Sequence, residues 1–557
     1  MSDSWIFFFC SQPNKITVNG GGIYTFEHDM VGALSSITTP KGYKYLFQIQ
    51  PSVLHNRFIF SPPVSPRHYY QILYNDEGHI LATILPQQMG RVVYNYNDAG
   101  RLQYQIYGDG SIELGYHSDT GLLRSVTVRE LGYEQRIENK YHAGLIKEQE
   151  FRFGPAVGMH SSKVRYLYDG HARPRRTEME INGVTIPKYE TSYDITYGTL
   201  ESVQDLKFTK IDHNKTILQD PRKSYFRVST FDAYGRKVES LLSIVGRVVH
   251  RSKFVYDSRY RLSAHSVWRG PGSIEISYNY TYTPMGYLQG VDGPNSYQYR
   301  YDDNGNMISY VENGNSVTAT YDEADRLVRW GDTPLNVYDT AGRVIQQNNV
   351  QFSFTSRGNA RYAWRSGEFM VTYRHDHLGR LVGWQDGNGS VTQFFYTNQR
   401  KPMQLTHVHR PASDETTLLL YDENDHLLAI QNGRTKMWVV TDNVGTPMMV
   451  YDSSGNVVKE IIRTPWGQII EDSRPNLKLY VDFHGGIRDP MTKMIIFGLH
   501  MYDPVHGQWI SPRYDRVTDS TTDPSAIYLN RFSNNNPVNT EHNVGDYPTS
   551  EYIKLML

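Results

Sequence analysis

Two histidine pairs have a spacing that chemistry could use. His375-Asp376-His377 and His407-Val408-His409 each carry imidazoles two residues apart, which on a strand puts both on one face, as a metal site needs. Neither pair has a third ligand close in sequence. His375 and His377 fall in a turn phrase, where solvated polar side chains are expected. His407 and His409 flank a valine and are expected on the solvated face of a strand. No serine-centred nucleophile elbow and no phosphate-cradling glycine loop occurs. Cys10 is the single cysteine, so disulfides and multi-cysteine metal sites within the chain are excluded. The expectation is a chain with no metal, no cofactor and no enzymatic activity.

Alternating tyrosines offer a second kind of chemistry. Tyr278-Asn279-Tyr280-Thr281-Tyr282 and Tyr297-Gln298-Tyr299-Arg300-Tyr301 could stack on sugars or bases, which would make a carbohydrate-binding scaffold. Cross-strand packing inside a sheet is the expected role. Three Asn-x-Ser/Thr sequons begin at Asn214, Asn279 and Asn388, and they are acceptors only in a secreted chain. Asn388 lies in Asp386-Gly387-Asn388-Gly389, which reads as an exposed turn. Asn279 lies in a strand, where it is open to burial.

The elements that hold these residues are written in a recurring phrase: Tyr-Asp, two variable residues, Gly, often Arg, then an aliphatic residue. Clear copies start at Tyr301, Tyr338 and Tyr451, and looser ones at Tyr74, Tyr96, Tyr116, Phe231, Tyr256, Tyr321 and Tyr421. The phrase reads as a β-hairpin. Tyr ends a strand, Asp accepts backbone N–H bonds as an Asx turn, and Gly supplies the left-handed position that closes a loop built on a type I turn. The Arg-aliphatic pair restarts the return strand. Alternation on both sides, as in Arg91–Tyr96 and Arg101–Tyr107, is the period-2 pattern of half-buried strands. Helix is expected only in short pieces, near Pro524–Phe532. Such an array is an all-β body that presents surface rather than concentrating chemistry.

Bulk numbers agree. Of 557 residues only 39% are hydrophobic, yet 13% are aromatic, and 43 are tyrosine. That mixture suits a curled sheet whose inner face is partly polar. The net charge is −1, so there is no electrostatic footprint for nucleic acid or an anionic membrane. Trp5–Cys10 is apolar but too short to span a bilayer. It reads as a buried strand entered partway, with the chain beginning inside a larger protein. Four prolines between Pro51 and Pro66 point to a connecting loop or edge strand. The polar stretch 207–223 reads as a long loop or an irregular hairpin.

These residues resemble the YD/RHS repeats of bacterial toxin shells and of the animal teneurins. The later part, 433–540, resembles the RHS-associated core that ends such shells. It carries Thr464-Pro465-Trp466-Gly467, Phe483-His484-Gly485-Gly486, Asp503-Pro504, Gly507-Gln508-Trp509 and Asn535-Asn536-Pro537-Val538-Asn539 in order. Phe483–Lys493 is closer to the teneurin version, while His500 replaces a more polar or basic residue. The resemblance implies a spiralling hollow β-hairpin shell over 1–432, closed by the core at 433–540, with a tail at 541–557 of uncertain structure.

It further implies a non-catalytic extracellular scaffold for cell adhesion and synaptic partner choice. The chain would be part of a longer single-pass membrane protein with upstream EGF-like modules. Expected partners are latrophilin-type adhesion receptors or another teneurin, with homodimers formed through the upstream modules. The alternative from the bacterial branch is a toxin-encapsulating shell that cuts itself through paired carboxylates, one protonated and one ionised. Asp515 and Asp523 are the candidates. Ser525-Ala526-Ile527 follows Asp523-Pro524, where the self-cleaving type has a Gly-rich continuation. The expected role of both carboxylates is turn capping.

Overall fold

The computed structural model describes residues 14–17, 22–52, 55–64, 68–154, 160–521 and 523–540. The Trp5–Cys10 strand and the 541–557 tail expected from sequence lie outside them. The described chain is an antiparallel meander in which successive strands pair. Thirty-one strands, from Lys15–Thr17 to Thr333–Pro334, form one sheet. Fourteen more, from Asn336–Tyr338 to Ile469–Asp472, form a second. Four short strands between Ile487–Arg488 and Gln508–Trp509 form a third.

Period-2 sequence produces period-2 burial. In Tyr133–His142, burial alternates from Tyr133 to Asn139, and in Arg91–Tyr96 Val92 and Tyr94 are buried while Arg91 and Asn95 are exposed. Most Tyr-Asp turns carry a register shift at the tyrosine, as between Arg300 and Tyr301 and between Val255 and Tyr256. One extra residue there sharpens the local twist. A shift repeated at successive turns bends the sheet steadily in one direction.

The bend winds the wall back upon itself. Asp109 accepts from the Ser356 amide, 247 residues on, at 3.1 Å. Tyr168 donates to Gln399 across 231 residues at 2.7 Å. Lys436 meets Asp205 across 231 residues at 2.6 Å, and Arg227 reaches Asp422 across 195 at 2.9 Å. The offsets of these contacts vary slowly along the chain, as expected for neighbouring turns of a spiral. Apolar packing follows the same path. Tyr225, Leu242 and Val249 of the first sheet share a core with Leu418, Trp438 and Tyr451 of the second, and the Tyr225 and Trp438 ring centroids lie 4.1 Å apart.

Two local expectations from sequence need comment. Stretch 207–223 is an irregular hairpin, Leu206–Asp212 with Lys215–Gln219, with a register shift between Lys210 and Asp212. The proline-rich stretch is not an edge. Asn56–Ser61 pairs with Lys44–Gln50 on one side and Tyr70–Tyr74 on the other. Pro51, Pro62 and Pro63 fall outside the strand, so its ladder donors are intact. Among the described residues helical structure is confined to short 3-10 segments, chiefly Tyr514–Thr521 and Pro524–Ile527.

Candidate functional site

The Tyr-Asp phrase is a repeated clamp, seen well at Asp257. One carboxylate oxygen accepts from the amides of Arg259 and Arg261, both at 2.9 Å. The other accepts from the Arg261 Nε at 2.8 Å. Tyr260 holds the left-handed position with φ of 64°. The guanidinium then lies 4.4 Å from the ring centroid of Tyr282, in the next hairpin, and the Tyr282 hydroxyl donates to the Leu262 carbonyl.

The same circuit recurs. Asp322 holds Arg326 at 2.8 Å, Arg326 lies 4.8 Å from the Tyr338 centroid, and Tyr338 donates to the Leu327 carbonyl at 2.8 Å. Asp376, Arg380, Tyr396 and Leu381 repeat it. Each hairpin therefore fixes the next. The Asp257 and Asp376 carboxyl groups are held below the usual carboxylate range. At Asp376 burial alone would raise the pKa, and the Arg380 charge and the turn donors outweigh it.

The chain beyond the second sheet, after Asp472 and called the core below, ties the wall together with buried carboxylates. Asp482 is held by Arg463 Nη2 at 2.9 Å and Arg488 Nη2 at 3.1 Å. Burial opposes its ionisation, but the two guanidinium groups keep it well below the usual range. Asp489 accepts from the Tyr373 hydroxyl at 2.5 Å, and Asp503 from the Gln347 amide at 2.8 Å. Both contacts reach from the core into the second sheet.

Asp515 and Asp523 are each engaged by separate partners. Asp515 takes a bidentate pair from Arg513, at 2.9 and 2.7 Å, with His500 Nε2 at 3.4 Å. Burial would raise its pKa, but Arg513 and His500 hold it well below the ordinary value. Asp523 caps the short 3-10 segment Pro524–Ile527, accepting from the Ser525 amide at 2.9 Å and its hydroxyl at 2.7 Å. Arg516 lies 3.3 Å from its other oxygen. A shared acid and base would need one carboxyl to stay protonated. Asp515 and Asp523 instead hold separate arginine partners, Arg513 and Arg516.

The histidines depart from expectation. His375 and His377 are buried, not solvated, and so are His407 and His409. The other turn of the spiral covers His407, whose Nε2 lies 2.9 Å from the carbonyl oxygen of Pro187, 220 residues away. Burial, which penalises the imidazolium, pushes His375 down to about 3 and His377 and His407 to about 4. Among the described residues no group of three potential ligands gathers for a metal ion.

Asn388 is exposed in its turn and Asn214 is half-buried. Asn279 is exposed too, because Tyr278, Tyr280 and Tyr282 take the inward face of its strand. These tyrosines pack in a cluster that contains Trp466, Phe483 and Phe532. The arginine circuit is the feature that sequence reasoning missed. Its signal was the fixed spacing of four between Asp and Arg, read only as the start of a strand.

Comparison with known proteins follows this geometry. The family model described as Teneurin YD-shell matches residues 2–538. Teneurin-m of Drosophila melanogaster is 36% identical over 531 residues, covering 95% of this chain and 19% of that protein. Human Teneurin-4 is 29% identical over 557 residues, covering 98% and 20%. The chain thus spans about one fifth of the length of these curated relatives. A solved structure titled TcdB2-TccC3-TEV superposes with a TM-score of 0.43 at 13% identity, covering 94% of this chain and 34% of that one.

Proposed function

Because this chain belongs to the teneurin YD-shell family, we propose that it is a non-catalytic extracellular scaffold for cell adhesion and partner recognition. The observation that carries this reading is the clamp. The phrase aspartates and arginines are spent on turn capping and on the next tyrosine, as at Asp257, Asp322 and Asp376. A wall whose reactive groups are so committed can present surface while performing no reaction. No helix among the described residues is long and apolar enough to cross a membrane. A place on the outer face of the plasma membrane would come from parts of a longer protein, with EGF-like modules and homodimer contacts there as well.

The partners that fit are latrophilin-type adhesion receptors or a second teneurin. The toxin-shell reading needs two carboxyls that share one water, and the separate arginine partners of Asp515 and Asp523 weigh against it. The test is adhesion. Cells displaying this shell on a membrane anchor should aggregate with cells bearing a latrophilin-type receptor or a teneurin. Absence of aggregation with both, at verified surface levels, overturns the reading.

A further inference from the structure

A cavity of about 740 Å³ opens between the second sheet and the core. Its walls are largely apolar, with Val371, Trp384, Ile461, Leu479 and Met491 among the lining side chains. Exposed lining residues, including Ser413, Lys478, Lys493 and Val505, mark its mouth. This size is that of a small-molecule pocket.

The cavity is lined by four carboxylates and five cationic side chains, which differ in how they are engaged. Each carboxylate that lines the cavity is already engaged. Asp386 caps its own turn through the amides of Asn388 and Ser390. Asp472 is taken by Lys459 at 2.6 and 2.7 Å. Asp482 is taken by Arg463 and Arg488, and Asp489 by Tyr373 and Thr492. Arg410 is paired with Glu415. Lys478 and Lys493 are left. Their ammonium groups donate to backbone carbonyls, of Pro475 at 2.9 Å and Pro490 at 2.6 Å, and neither meets a carboxylate among the described residues.

We infer that this cavity binds an aliphatic chain ending in a carboxylate, the chain against the apolar walls and the headgroup between Lys478 and Lys493. The apolar walls select the chain and the two free ammonium groups select the anion. A neutral head would leave both lysines with backbone carbonyls alone.

Calorimetric titration of the folded protein with dodecanoate, below its micelle concentration, tests the assignment. Saturable one-site binding is expected, with dodecanol weaker by about tenfold or more, as loss of charge-assisted hydrogen bonds implies. The Lys478→Gln, Lys493→Gln double variant should weaken dodecanoate by a similar factor; both lysines are exposed, so the fold should stand. Val391→Trp, which narrows the cavity, should abolish binding with the urea midpoint retained. No saturable binding of dodecanoate, equal affinity for dodecanol, or affinity unchanged in the double variant would each overturn the inference.

Discussion

The hydroxyls of Tyr24 and Tyr528 meet at 2.7 Å, although 504 residues separate them in sequence. Both tyrosines are buried. Tyr24 belongs to the strand Ile23–His28, near the start of the described wall, and Tyr528 to the core that ends it. Arg531 sits 3.8 Å from the Tyr528 ring centroid and donates to the Asn304 carbonyl. Asp325, in a turn late in the first sheet, accepts from Tyr45 at 2.8 Å and from the Asn304 side-chain amide at 2.9 Å. First strands, middle turns and core therefore share one polar cluster. Replacing either tyrosine by phenylalanine should cost about 1–3 kcal/mol, since the remaining hydroxyl loses its buried partner. The double variant should cost less than the sum of the two, and urea midpoints of all four proteins measure it.

The clamps should differ in strength with burial. The Asp376 side chain is fully buried and that of Arg380 is 10% exposed. Asp376→Ala removes the carboxylate that compensates the buried Arg380 charge, leaving the neutral Pro402 carbonyl bond, and should destabilise by about 3–5 kcal/mol. Asp29 caps an exposed turn through the amides of Val31 and Ala33, so Asp29→Ala should cost only about 1 kcal/mol, by analogy with a lost helix cap. Equal costs in chemical denaturation would show that the clamp adds nothing to the cap.

Acid should weaken the fold in two steps. His250 and His375 are pushed down to about 3, and His265, His377 and His407 to about 4, each chiefly by burial. In the unfolded chain these imidazoles titrate near 6.5. Below that pH the unfolded state binds protons that the folded state refuses, so stability is full above it and falls as pH drops. Each histidine contributes up to about 1.4 kcal/mol per pH unit. The depressed carboxyls of Asp482 and Asp515 act later. Their stabilisation holds above about pH 4 and is lost as pH falls toward their folded values. Urea midpoints should decline from pH 7 to pH 5, with a shallower slope in His407→Gln, whose amide can keep the Pro187 contact. A flat profile over that range would exclude neutral buried histidines.

The core carboxylates should leave the chain intact. The double variant Asp515→Asn, Asp523→Asn and the unaltered chain should run at the same length on a denaturing gel after prolonged incubation. A shorter product formed only by the unaltered chain would restore the self-cleaving reading.

Much of the architecture was legible because it is periodic. Alternation gave the strands, and the Tyr-Asp phrase gave the turns at Asp302, Asp339 and Asp452 with their capping bonds. What a single hairpin cannot reveal is what lies across the wall. Burial of His407 comes from chain some two hundred residues distant, as the Pro187 contact shows. The exposure of Asn279 followed from strand parity, since its flanking tyrosines point inward. The stacking of Arg261 on Tyr282 was hidden because it joins two copies of the phrase, and each copy reads as complete on its own.

Zero-length carbodiimide cross-linking with peptide mapping tests the wound wall most directly. Lys41 lies 2.9 Å from Asp302 and Lys436 lies 2.6 Å from Asp205, pairs that only a spiral brings together. Lys140 and Glu148, 2.7 Å apart on adjacent strands, report local pairing alone. All three cross-links are predicted in the folded protein, and their loss in urea. Recovery of Lys140–Glu148 without either long-range product would contradict the spiral, and with it a function that rests on a closed, surface-presenting shell.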